Sequence, residues 1–192
     1  MLTARGIARL AELREAGVTA ATMSRMERDG EVVRLARGLY QLPDAPLDAH
    51  HSLAEAAKRV PKGVVCLVSA LAFHQLTDQL PRQVWIAIGQ KDWPPKADGA
   101  PVRLVRFTKR LLTEGVETHT VEGVRVKVFA VAKTVADCFR YRNKIGLSVA
   151  IEGLQEALRQ RKATPGEITR QAERGAVATV IRPYLEALTA NG

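Results

Sequence analysis

Apolar positions in the first forty residues change their period partway along. Ile7, Leu10, Ala11 and Leu13 recur at helical spacing, which predicts a helix over 3–16 with Thr3 as its cap and Gly17 as its end. Thr19 then suits the N-cap of a second helix over 20–29, closed by Gly30. From Glu31 the pattern alternates. Residues 31–35 read as a strand, 36–38 as a tight turn and 39–42 as the returning strand. Pro43, Asp44 and Pro46 break this pattern and set a boundary between a unit over 1–45 and a second over 46–192.

The second unit mixes both periods. A helix is expected over 47–59, ended by Pro61 and Gly63, followed by a buried strand over 64–68 and a short helix through Leu76 capped by Ser69. Residues 83–88 and 102–107 read as strands flanking a proline-rich loop bounded by Pro94, Pro95, Gly99 and Pro101. A hairpin over 116–121 and 124–129 turns at Glu122-Gly123. Helices follow over 131–141, 147–161, 165–174 and 176–189. Leu147, Ile151, Leu154 and Leu158 form one apolar stripe, and Val177, Ile181, Tyr184, Leu185 and Leu188 another. Both read as core faces, with a partner groove or homodimer seam as the sharper alternative. The fold class is α+β: an N-terminal winged helix-turn-helix plus a mixed α/β C-terminal domain ending in several helices.

Charge adds a partner to this picture. The chain of 192 residues carries a net +9. Such an excess points to a polyanion, most often nucleic acid. Residues 1–50 are neutral overall, while 101–145 hold ten basic against four acidic side chains and so two thirds of the excess. On the second helix Met23 and Met26 share a core face; Thr22, Arg25 and Arg28 are spaced three apart on another, with Ser24 beside them. Arginine can grip guanine in a fork, and Ser or Thr can bond bases or phosphates. Arg34 and Arg37 sit on the ribbon, where a wing meets phosphates or the minor groove. Thr19 opens a helix whose first amides can approach a phosphate. The same spacing also describes a solvated helix face, with Glu27, Asp29 and Glu31 nearby. In the second unit Arg103, Arg106, Lys109, Arg110, Arg125 and Lys127 offer further nucleic-acid contacts; the alternative is a solvated sheet edge guarded by cations.

Catalytic constellations are not expected. His50, His51, His74 and His119 lack zinc-ligand spacing with Cys66 or Cys138, and those two thiols sit in apolar contexts that suit small buried side chains rather than a disulfide. Glu117, Glu122 and Lys127 share the hairpin, yet no carboxylate precedes the lysine by two as a metal-dependent nuclease would want. Asp137, with Lys133 and Arg140 at helical spacing, reads as a salt-bridged helix residue. No enzyme activity, cofactor or metal is therefore expected. No run approaches the ~20 apolar residues of a membrane span. Arg5, Arg9, Glu12 and Arg14 stand where a secretory signal needs an apolar run, so the expected location is cytoplasmic.

Three segments carry a family resemblance. Ala16–Tyr40, with its Gly-Val-Thr, a Met pair, a hydrophobic-Arg strand and Arg-Gly-Leu-Tyr, resembles the N-terminal domain of AbiEi-family antitoxins. Val64–Leu76 is similar to that family's strand, Ser-Ala-Leu and helix, and Lys133–Gly146 to its Lys-Thr-x-x-Asp-x-x-Arg segment. The resemblance implies a type IV antitoxin and phage-defence regulator that binds operator DNA to repress its own operon. It further implies that the protein counteracts a nucleotidyltransferase toxin without needing to bind it. Inverted-repeat operators would admit a homodimer on DNA. One departure is that a single helix precedes Gly17, where a full winged domain usually has one more: either the domain is minimal or helix 3–16 breaks near Arg9. Two other classes stay open: a protein-binding antitoxin that grips its toxin through the C-terminal helices, and a nucleic-acid-processing enzyme.

Overall fold

The computed structural model describes residues 6–44, 49–94 and 99–190. The first elements are β1 (Ile7–Arg9), α1 (Leu10–Glu15), α2 (Ala20–Arg28), β2 (Val33–Ala36) and β3 (Leu39–Gln41). The helix expected over 3–16 is therefore a strand followed by a short helix; Thr3 lies outside the described residues. The cause is pairing at a distance. β1 joins the ribbon in the order β1-β3-β2, with Ile7 opposite Gln41 and Arg9 opposite Leu39. Both faces of β1 are covered: Ile7 packs with the second unit, and Ala8 with Leu13, Met23, Val32 and Tyr40. A strand buried on both faces shows no alternation, so its sequence borrows the helical look of its neighbour. The helix begins only at Leu10, where the carboxylate of Glu12 accepts the Arg9 N–H at 2.7 Å. The second helix and the ribbon form close to where they are expected, with the turn at Arg37 and Gly38.

The second region runs α3 (His51–Arg59), β4 (Val64–Val65), α4 (Leu67–Phe73), β5 (Val84–Gly89), β6 (Val102–Phe107) and α5 (Lys109–Thr113). It continues with β7 (Val116–Val121), β8 (Val124–Phe129) and α6 (Val131–Arg140). α7 (Arg142–Ile145), α8 (Leu147–Arg159), α9 (Pro165–Arg174) and α10 (Ala178–Thr189) complete it. α3 starts later than the expected residue 47: residues 45–48, which include Pro46 of the expected boundary, lie outside the described residues, and 49–50 form a turn. The strand expected over 64–68 ends at Val65, because extended Cys66 already caps α4. Residues 67–71 are all buried, and a wholly buried run has no period to tell helix from strand. Ser69 is thus inside a helix rather than at its cap, and its Oγ accepts the N–H of Trp85 at 3.0 Å.

The large sheet has the order β6-β5-β4-β8-β7, parallel at β5/β6 and β4/β8 and antiparallel elsewhere. Its hairpin turns where expected, with positive φ at Glu122 and Gly123 (49° and 71°), as a primed turn requires. One face packs against α4, α6 and the last helices, burying Phe107, Phe129, Phe139, Leu154, Ile168 and Ile181. The second stripe belongs to that core, as do Ile151, Leu154 and Leu158 of the first, while Leu147 lies outside it at 37% exposed. The other face meets α3. There Ile86, Ile88, Val126 and Val128 share one buried cluster with Leu53 and Ala54, and with Ile7, Ala36 and Leu39 of the N-terminal sheet.

Two latches fix this junction. Lys58 Nζ of α3 pairs with Glu12 of α1 at 2.6 Å. The end of the β5–β6 loop is clasped at Ala100, whose N–H donates to Glu55 Oε1 at 2.7 Å and whose carbonyl accepts from Arg59 Nη1. Gly99 reaches this position with φ +76°, and a Cβ there would stand 2.8 Å from Ala36 Cβ of the ribbon. Gly99 and Ala100 are therefore wedged between α3 and β2. Residues 95–98, including Pro95, lie outside the described residues. Among the described residues no helix is long and apolar enough to cross a membrane.

Candidate nucleic-acid interface

α2 is positioned by its own cap and its own core face. Thr19 Oγ1 accepts the Thr22 N–H at 3.1 Å and lies 2.9 Å from the Thr22 hydroxyl. Thr19 is thus occupied as a helix cap, and Thr22 is half-buried at the margin of the helix. Met23 is buried and Met26 packs beside it, as the spacing predicts. The face turned outward carries Ser24, Arg25 and Arg28, all exposed.

The ribbon approaches this helix from the side. Ser24, Arg34 and Arg37 line one groove of about 640 Å³, together with Arg9, Lys58 and Arg59. Arg25 and Arg28 lie on the exposed helix face outside that lining. The groove therefore joins three of the expected contact residues and adds three cations that sequence reasoning missed. Nothing local marks those three. Arg9 looks like part of a helix, and Lys58 and Arg59 look like an ordinary basic helix end. Only the pairing of β1 with β3, and the docking of α3 behind it, bring them beside the ribbon.

The cations of the second unit divide into two groups. Arg103 stacks on Trp85, its guanidinium 4.2 Å from the ring centre. Arg106 Nη1 donates to the carbonyls of Gly89, Gln90 and Asp92 at 3.1, 2.6 and 3.1 Å. Arg110 Nη2 donates to the Arg174 carbonyl at 2.9 Å, while Lys109 is exposed at the start of α5. Arg125 and Lys127 point away from the apolar side of β8, as the alternation predicts, and are exposed. They line a second cavity of about 760 Å³ that also takes in Arg9, Glu12 and Lys58. Through Arg9 and Lys58 the two depressions form one basic surface spanning both units.

Other polar residues are engaged elsewhere. Lys133 and Asp137 form an ion pair in the core, each side chain 2% exposed. Burial raises the Asp137 carboxyl above its ordinary range, against the opposing pull of Lys133 and Arg140. Cys66 and Cys138 are free, buried thiols that desolvation pushes up. The rings of His50, His74 and His119 gather around Phe73 at 4.9, 5.3 and 4.8 Å. Among the described residues no three His, Cys, Asp or Glu side chains are placed to hold a metal ion.

Comparison with known proteins bears on the N-terminal unit first. Residues 3–43 match the family model described as transcriptional regulator, AbiEi antitoxin. The N-terminal segment is similar to that family. The AbiEi match spans β1, both short helices and the whole ribbon, so the groove residues Arg9, Ser24, Arg34 and Arg37 all fall inside it. No curated protein matches the chain. Among solved structures, the crystal structure of the RV2827C protein from Mycobacterium tuberculosis is similar at a TM-score of 0.60 and 13% identity. That similarity covers 96% of this chain and 75% of the other, and extends the likeness of fold well beyond the AbiEi segment.

Proposed function

We propose that the protein is an antitoxin-type regulator that binds operator DNA through its N-terminal unit, residues 1–45, as a winged helix-turn-helix. The observation that carries this reading is the groove in which α2 and the ribbon converge inside the AbiEi-matching segment. α2 presents Ser24, Arg25 and Arg28 outward, the residue types that bond base edges in a major groove. Arg34 and Arg37 stand on the flanking ribbon, where they meet phosphates and set register without reading sequence. Thr19 and Thr22 support the helix rather than the bases. α1 and α2 make a minimal helix-turn-helix, and β1 takes the place of support that an extra leading helix would give.

Residues 46–192 form the antitoxin domain, which counteracts a nucleotidyltransferase toxin. Arg9, Lys58, Arg125 and Lys127 extend the basic surface along the same side and lengthen the DNA footprint. The C-terminal stripes are mostly taken up by the core, so no observation favours grip of a toxin through those helices. Asp137 is neutralised by Lys133 in the interior, and Glu117 and Glu122 each contact a histidine at 3.2 and 2.8 Å. The carboxylates a nuclease would need are thus held apart in separate pairs.

The test is fluorescence anisotropy with the gene's own upstream duplex beside a scrambled duplex, across a salt series. A preference of about 10³ or more for the upstream duplex is expected, within the range of specific binding. Equal, steeply salt-dependent binding to both would reduce the basic surface to an electrostatic footprint and overturn the operator reading.

A further inference from the structure

We propose that Trp93 and the cations around it form a stacking site for an unpaired base of single-stranded nucleic acid. The chain has two tryptophans, and their surroundings are opposite. Trp85 is 6% exposed, while Trp93 is 88% exposed. An exposed indole offers a flat apolar face, and here it adjoins further apolar surface.

The backbone that leads into Trp93 is tied down at residues 89–92. Asp92 Oδ2 accepts the Gly89 N–H at 2.8 Å. Arg106 reaches across from β6 and donates to the carbonyls of Gly89, Gln90 and Asp92. The backbone is therefore anchored up to the residue before the indole. Beside it lies a depression of about 470 Å³. Val60, Pro61 and Ile88 give it an apolar floor, while Arg59, Lys62 and Lys91 surround it with positive charge. Its one carboxylate among the described residues, Asp92, already accepts from Gly89.

An aromatic face beside three cations matches a flat ring carried on a phosphate chain. An acidic peptide would answer the cations and leave the indole uncovered. A closed duplex would keep its base faces stacked on one another. Arg59 also lines the groove between α2 and the ribbon, so an unpaired strand leaving a duplex there can reach Trp93. The inference goes beyond operator binding. It shares the nucleic-acid reading of the basic surface, and the duplex arm of the experiment tests that reading separately.

The experiment follows tryptophan emission of the full chain during titration with a dodecamer of oligothymidylate, one of oligouridylate, a blunt duplex and polyglutamate. The variant Trp93→Phe leaves only Trp85 as the emitter. Quenching by at least one single strand is expected in the wild type and not in Trp93→Phe. The dissociation constant for that strand should rise by about 5- to 150-fold in Trp93→Ala, the range for one lost base stack. The two single strands distinguish RNA from DNA as the source of the base. Absence of quenching by both, unchanged affinity in Trp93→Ala, or equal quenching by polyglutamate or duplex would each overturn the site. Upstream-duplex binding without any Trp93 response would sink the stacking site and leave the operator reading standing. Single-strand quenching without duplex preference would do the reverse.

Discussion

Removing the carboxylate of Asp137 should expose how much the core depends on one ion pair. Lys133 and Asp137 face each other one turn apart on α6, and both side chains are 2% exposed. The lysine ammonium also lies 5.1 Å from the Phe107 ring centre and 4.5 Å from that of Phe129. Asp137→Ala leaves this ammonium without its counter-charge and without water. Breaking a buried pair from one side costs about 3–5 kcal/mol. The two aromatic faces remain and offset part of that, at about 1–2 kcal/mol for a desolvated cation. The expected loss is therefore about 3 kcal/mol.

The pair should respond asymmetrically. Lys133→Met keeps the stem against Phe107 and Phe129 and leaves a carboxyl that burial already pushes toward its neutral form, so it should cost less than Asp137→Ala. The double variant Lys133→Met with Asp137→Leu should return to within about 1 kcal/mol of the wild type, since an apolar pair of similar volume replaces two desolvated charges. Urea unfolding of the wild type, these three variants and Asp137→Leu, followed by circular dichroism with the slopes compared, closes the cycle. A loss under about 1 kcal/mol for Asp137→Ala is the value of an exposed pair. It would refute the placement of these charges in a dry core.

Three further outcomes follow from the same structure. The neutral ring of His74 donates from Nε2 to the Phe129 carbonyl at 2.8 Å, and burial lowers its pKa from the ordinary 6.5. Its folded pKa lies below the unfolded one, so stability should be full above about pH 6.5 and decline as pH falls through the folded value; pH-dependent urea midpoints should lose that slope in His74→Gln, and an unchanged slope would contradict it. Thr19→Ala removes the cap of α2 and should cost about 1 kcal/mol in thermal or urea unfolding, because the hydroxyl serves Thr22 rather than a phosphate; DNA affinity lost without any loss of stability would reverse that assignment. Ser69→Ala leaves the buried Trp85 N–H without its acceptor and should destabilise by about 1–3 kcal/mol in urea unfolding; a near-neutral change would contradict that bond.

Local chemistry was legible in the sequence where one side chain decides a local shape. Thr19 marks the start of α2, and Glu122-Gly123 marks the hairpin turn, because a cap hydroxyl and a positive φ are properties of those residues alone. β1 was not legible: its strand is imposed by Leu39, Tyr40 and Gln41, some thirty residues away. Nor was the break between β4 and α4, where every residue from Leu67 to Leu71 is buried and periodicity vanishes. The interior pair of Lys133 and Asp137 reads as an ordinary helical salt bridge, since spacing alone carries no information about depth. At the candidate interface, Ser24, Arg25, Arg28, Arg34 and Arg37 follow from helix and ribbon periodicity. Arg9, Lys58 and Arg59 reach the groove only because β1, α3 and the ribbon close on one another.

The most direct measurement compares two variants on upstream and scrambled duplexes across a salt series. Arg25→Ala should cost about 1–3 kcal/mol on the upstream duplex alone, which lowers the ratio between the two. The pair Arg34→Ala and Arg37→Ala should weaken both duplexes alike and flatten the log–log salt slope by about 1 for each phosphate that is no longer neutralised. An upstream-to-scrambled ratio untouched by Arg25→Ala, or a ribbon variant that leaves the salt slope unchanged, would contradict a helix that reads bases beside a ribbon that holds phosphates.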